Sequence, residues 1–118
     1  MEGAVNPSGG AKSTADDYMK FLQMLLNKGK FKDKQIISEK SIEQMMTVQA
    51  PLDKIKYAPK VAEGFTYALG SWVMEGPLLT SPDRGGKATA LASPGLFGTW
   101  PLVEYCRGYA CIFFVKKL

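Results

Sequence analysis

Histidine is absent from this 118-residue chain, which removes the commonest general base and metal ligand before any motif is sought. Acid–base chemistry would have to use lysine, tyrosine or a carboxylate. Cysteine is scarce: Cys106 and Cys111 are too few for a disulfide framework or a four-ligand zinc site. One falls in an expected turn and the other in an expected strand, so two free thiols are favoured over a bridge. Arginine is scarce as well. The net charge of +4 comes mostly from lysine, thirteen against two arginines, and arginine is what phosphate and base forks prefer. The basic balance therefore argues only weakly for nucleic acid, and no nucleic-acid partner is expected.

Long apolar runs are missing. The longest, Tyr109 to Val115, falls far short of the roughly 20 residues needed to cross a bilayer, and Met1-Glu2-Gly3 opens no leader pattern, so no membrane span is expected. What remains is ordinary globular composition. Hydrophobic residues at 46% and charged residues at 22% exclude a disordered or fibrous class. The chain is expected to be a single domain or a fragment of one, over residues 1–118.

The organising stretch is Ser93 to Tyr105 with its return, Tyr109 to Val115. Both arms are rich in aromatic and β-branched residues, and Tyr105-Cys106-Arg107-Gly108 places a glycine where a tight turn needs positive φ, so a hairpin is predicted. The return arm is apolar on both faces, which predicts a strand covered on both sides.

Earlier in the chain, residues 1–12 read as a flexible, glycine-rich lead-in without hydrophobic periodicity, resembling a cut end. Ser13-Thr14-Ala15-Asp16-Asp17 offers a hydroxyl cap followed by acids in a first turn. Tyr18, Phe21, Leu22, Leu25 and Leu26 fall on one stripe, and Asn27-Lys28-Gly29 stops it, predicting a helix over about 14–28. Lys28, Lys30, Lys32 and Lys34 around Phe31 read as a solvated turn, with contact to phosphate or acidic lipid as the other reading. Ile37 before Ser38, and Ile42 beyond it, form a hydrophobic staple for a second helix that continues through Met45 and Met46 toward Pro51. These helices occupy 14–48. Residues 50–64 read as an irregular surface excursion, Thr66 to Met74 as one strand, 76–87 as a loop, and Ala88 to Ser93 as the approach to the hairpin. The fold class is therefore α+β, with two N-terminal helices packed on an antiparallel sheet of three to four strands within 66–116.

A search for complete chemistry finds none. Gly85-Gly86-Lys87 resembles the end of a phosphate-binding loop, but its first glycine would fall on Ser81, and Ala88 replaces the magnesium-binding hydroxyl. Asp16 and Asp17 are neighbours that point apart and are explained as helix-start acids. None of the seven serines has a lysine three residues on, and no metal or dinucleotide spacing is present. Neither a cofactor nor a metal is expected.

The ordered pieces Asn6-Pro7-Ser8-Gly9-Gly10, Ser13-Thr14-Ala15-Asp16-Asp17, Phe21 to Asn27 with Gly29, Ile36-Ile37-Ser38 and Tyr67-Ala68-Leu69-Gly70-Ser71-Trp72 resemble the C-terminal part of serine β-lactamase-related hydrolases. That bacterial group includes class C β-lactamases, penicillin-binding proteins and related esterases. In it, a Lys-Thr-Gly or His-x-Gly motif opens the strand beside the nucleophile and is followed by a glycine-containing run, a hairpin and the last strand. Ser93-Pro94-Gly95, Gly98-Thr99 and the hairpin occupy that place here. The resemblance implies a substrate-binding role for Ser93, Gly95 and Leu96. The Leu96 N–H would be one of two oxyanion-hole donors, and Ser93 would stand where the family has a cation. It implies no catalytic side chain in this chain, because Ser-x-x-Lys and Tyr-x-Asn lie upstream in the family. The expected partners are thus the upstream part of the same polypeptide, carrying the nucleophile, and a small-molecule or peptide-like substrate. The implied compartment is the periplasm or cell envelope. The alternative is a non-catalytic binding or scaffold domain derived from that fold, which kept the sheet but lost the chemistry, with Trp72, Trp100 and the aromatic strands meeting a partner or glycan.

Overall fold

The computed structural model describes residues 9–74, 88–95 and 98–115. Residues 1–8, residues 75–87 with the whole loop expected over 76–87 and its Gly85-Gly86-Lys87, Leu96 with Phe97, and residues 116–118 lie outside the described residues.

Helix α1 spans Ala15–Leu26, and the Thr14 side chain caps it by accepting the Asp17 N–H at 3.1 Å. Its stripe is turned slightly from expectation: Leu22, Met24 and Leu25 are buried, whereas Phe21 is 47% exposed. The helix ends where Gly29, at φ 90°, donates to the Met24 carbonyl. A Cβ on Gly29 would collide with the Ile37 carbonyl, so only glycine lets the Ile37 backbone come this close.

Beyond Gly29 the chain forms an ordered ribbon, where the sequence predicted a solvated turn. β1 (Lys30–Phe31) pairs antiparallel with β2 (Lys34–Gln35). Helix α2 spans Glu39–Met46 and is capped by Ser38, whose hydroxyl oxygen accepts the Ser41 N–H at 3.1 Å. It ends at Thr47, earlier than Pro51, because Thr47 already turns to extended backbone at ψ 130°. The staple is present: Ile42 is 1% exposed and Ile37 packs against the same cluster.

Among the described residues the second sheet has five antiparallel strands in sequential order: β3 (Thr66–Tyr67), β4 (Trp72–Val73), β5 (Ala90–Ala92), β6 (Trp100–Glu104) and β7 (Tyr109–Phe113). It exceeds the three to four strands expected, for two reasons. The stretch Thr66 to Met74 is a hairpin, not one strand: Gly70 at φ 77° turns the chain, and the Ala68 N–H donates to the Ser71 carbonyl at 2.8 Å. Ala90–Ala92 is a full strand, paired on both sides.

The predicted β6–β7 hairpin is present with Trp100 opposite Phe113 and Glu104 opposite Tyr109, and Gly108 at φ 72° closes it. β7 is not covered on both sides, however. It is the outermost strand among the described residues, with Tyr109 43% and Phe113 61% exposed. Its apolar character on one face is matched by α1, which packs over β6 and β7.

Two apolar clusters fill the interior. Leu22, Met24, Leu25, Ile42 and Val103 join α1, α2 and β6; Ala68, Val73, Ala88 and Leu91 join β3, β4 and β5. Met46 and Tyr105 touch both, so the helical layer and the sheet share one continuous core.

Candidate functional site

β5 carries the chain through the centre of the sheet on three buried alanine and leucine side chains, and at Ser93 the backbone leaves it. Ser93 N–H still donates to the Pro101 carbonyl at 3.3 Å, the last rung shared with β6. Beyond it the chain makes a compact bend. Gly95 N–H donates to the Thr99 carbonyl at 2.7 Å, and Gly98 N–H donates to the Gly95 carbonyl at 3.1 Å. Gly98 holds φ 96°, and a Cβ there would stand 3.3 Å from the Val115 carbonyl oxygen, so the bend is seated against the end of the last strand.

Two of the three sequence-predicted site residues can be placed. Ser93 and Gly95 are both exposed at the end of β5. Among the described residues the Ser93 hydroxyl has no hydrogen-bond partner, which leaves it able to donate or accept. The Gly95 amide is committed to Thr99 and is no free donor. Leu96, the expected oxyanion donor, lies outside the described residues.

A cleft of about 170 Å³ opens beside Ser93. Its walls are Tyr18 and Phe21 of α1, Leu69 to Ser71 of the β3–β4 turn, and Leu102 of β6. Tyr18 stacks edge-on against Phe21 at 6.1 Å and against Phe114 at 6.2 Å, giving one wall an aromatic face. Ser71 and Ser93 are the hydroxyls on this otherwise apolar lining, apart from the Tyr18 phenol.

The titratable groups nearby are structural. Tyr105 is pushed up to about 12 by burial, and its hydroxyl donates to the Leu25 carbonyl at 3.0 Å, so it stays protonated and cannot serve as a base near neutrality. Glu104, 7% exposed, accepts the Cys106 N–H at 2.9 Å and the Arg107 N–H at 2.7 Å and thereby holds the β6–β7 turn. Sequence reasoning missed this carboxylate; a glutamate directly before a glycine-closed turn was its signal. Lys20 pairs with Asp17 and Lys54 with Asp53, and none of the four lines the Ser93 cleft. No group of three or more His, Cys, Asp or Glu side chains that could hold a metal ion occurs among the described residues. Cys106 and Cys111 are both free thiols. No described helix is long and apolar enough to cross a membrane.

No family model matches the chain. It is 31% identical over 99 residues to two curated proteins of Mycobacterium tuberculosis: the uncharacterized protein MT1414 of strain CDC 1551 / Oshkosh and protein Rv1367c of strain ATCC 25618 / H37Rv. The match covers 80% of this chain but only 25% of each relative. A solved structure from Bacteroides dorei DSM 17855, described provisionally as a beta-lactamase, superposes with a TM-score of 0.65 at 23% identity, over 95% of this chain and 36% of that one. The fold is β-lactamase-like. The helices and the five-stranded sheet are thus a recurrent arrangement, and this chain spans about a quarter of its curated relatives' length.

Proposed function

We propose that this chain is the C-terminal segment of a β-lactamase-related serine hydrolase and supplies one wall of its reaction site. The observation that carries the reading is the exit from β5: an exposed Ser93 whose hydroxyl has no partner among the described residues, followed by a glycine bend seated on the last strand, within a fold shared with a beta-lactamase-named protein. In this reading the third motif of the family falls on Ser93 to Gly95, and Leu96 offers a backbone N–H to a developing oxyanion. One such donor typically contributes about 3 kcal/mol of transition-state stabilisation.

The nucleophile and its base come from upstream polypeptide. Its serine would attack an amide, ester or β-lactam carbonyl, expel the leaving group while forming an acyl-enzyme ester, and lose the acyl group to water. Ser93 is neutral where the family carries a cation, so it would recognise a substrate by hydrogen bonding and not by pairing with a carboxylate. A non-catalytic scaffold ranks second, since Trp72 already packs on Tyr67 at 4.9 Å and is less free to meet a partner.

Burst release from a nitrophenyl ester or a chromogenic β-lactam tests the reading. The 118 residues alone should give none, and the same segment joined to upstream sequence bearing Ser-x-x-Lys should turn over. Turnover by these residues alone, abolished by changing one of their own serines, would overturn it.

A further inference from the structure

The lysine-rich ribbon after α1 is built more rigidly than its composition suggests. Gly29 carbonyl accepts both the Ile36 N–H at 2.8 Å and the Ile37 N–H at 3.2 Å, and the Gln35 side-chain amide donates to the Lys28 and Ile37 carbonyls. Lys28 and Lys32 are held at φ 54° and 52°, a region that residues with side chains rarely occupy. The consequence is directional. Lys28, Lys30 and Lys32, at alternate positions, all line one open cleft of about 410 Å³ together with Asn27 and Glu39.

Charge in this cleft is unbalanced. Among the described residues none of the three ammoniums is in an ion pair, and the one acid on the lining is Glu39. The cleft lies between the last residues of α1 and the first of α2, so the partial charges of the two helix ends, about −0.5 and +0.5, offset each other. Three cations against one carboxylate leave a net of +2. Lys32 Nζ also sits 5.7 Å from the Phe31 ring centroid, which limits how far it can swing away.

The geometry points to an anion site in which Lys28, Lys30 and Lys32 bind a small phosphate-class anion of two or more charges. Point-charge ammoniums on a fixed ribbon suit a compact polyanion. The scarcity of arginine and the presence of Glu39 disfavour a long nucleic-acid track. The site is separate from the Ser93 cleft and does not depend on the hydrolase reading.

Inorganic pyrophosphate titrated into the 118-residue chain, followed by calorimetry and by backbone amide shifts, tests this. Saturable binding with shifts confined to residues 26–32 and 39 is expected. Lys28→Gln/Lys30→Gln/Lys32→Gln should weaken it by about fivefold or more, and Glu39→Gln should tighten it, as expected for exposed charge pairs. The control Lys54→Gln/Lys56→Gln/Lys60→Gln removes equal charge elsewhere and should leave affinity unchanged. Absent saturation, equal loss in both triple variants, or single-stranded oligonucleotide binding that strengthens steadily with length would each overturn the proposal.

Discussion

The Tyr105 hydroxyl donates to the Leu25 carbonyl at 3.0 Å, joining residues 80 positions apart and fastening the C-terminal end of α1 to the β6–β7 turn. Leu25 carbonyl also accepts the Lys28 N–H at 3.1 Å, so it stays partnered if the tyrosine is lost. Tyr105→Phe should therefore cost only about 1 kcal/mol, read as a lowered urea midpoint with an unchanged slope.

The same residue sets a pH dependence. Its phenol ordinarily ionises near 10.0 and is pushed up to about 12 in the fold, so the unfolded chain releases this proton first as pH rises. The contribution is fully present below pH 10 and is lost progressively between pH 10 and about 12. Urea midpoints should fall across that window, and Tyr105→Phe should flatten this part of the fall.

Glu104 gives a sharper test of the turn. Glu104→Ala removes two charge-assisted bonds to Cys106 and Arg107 and should cost about 2–4 kcal/mol, whereas Glu104→Gln keeps an acceptor and should cost less. Chemical denaturation of both variants gives the order directly.

Two glycines at positive φ should respond very differently to alanine. At Gly108, φ 72°, nothing lies within 4 Å of the added methyl, and the cost should be about 1–2 kcal/mol for the left-handed backbone alone. Gly29→Ala meets the Ile37 carbonyl oxygen as well and should melt at a clearly lower temperature than Gly108→Ala.

The outer edge of β7 carries no charge or proline from Tyr109 to Phe113. Such an edge templates pairing with another chain. Sedimentation should show concentration-dependent self-association of the 118 residues, reduced by Phe113→Lys.

Local chemistry was the readable part of this sequence. Thr14 and Ser38 announced both helices because a hydroxyl before an apolar stripe satisfies backbone donors that nothing else reaches. Gly108 announced the last turn for a similar reason. The sheet was less visible. Strand β5 is built on Ala90 and Ala92, residues of weak strand preference that are nonetheless buried in a strand paired on both sides by β4 and β6. The β3–β4 hairpin hid inside one run of strand-favouring residues, since two-residue strands leave no alternation to detect. At the candidate site, Ser93 and Gly95 stood out only through resemblance to a family, because an exposed serine before a bend has no signature of its own. The role of Glu104 depended on geometry that spacing does not display.

The packing of α1 over β6 and β7 fixes the order in which this chain can mature. As synthesis proceeds, the helix leaves the ribosome long before the hairpin that shelters Leu22 and Leu25. Ile42 of α2 can join those side chains early, but their cover from the sheet is missing until Val103 arrives. Contacts of such long sequence separation also slow refolding, so this small molecule should assemble at the pace of a β-rich protein despite beginning with a helix.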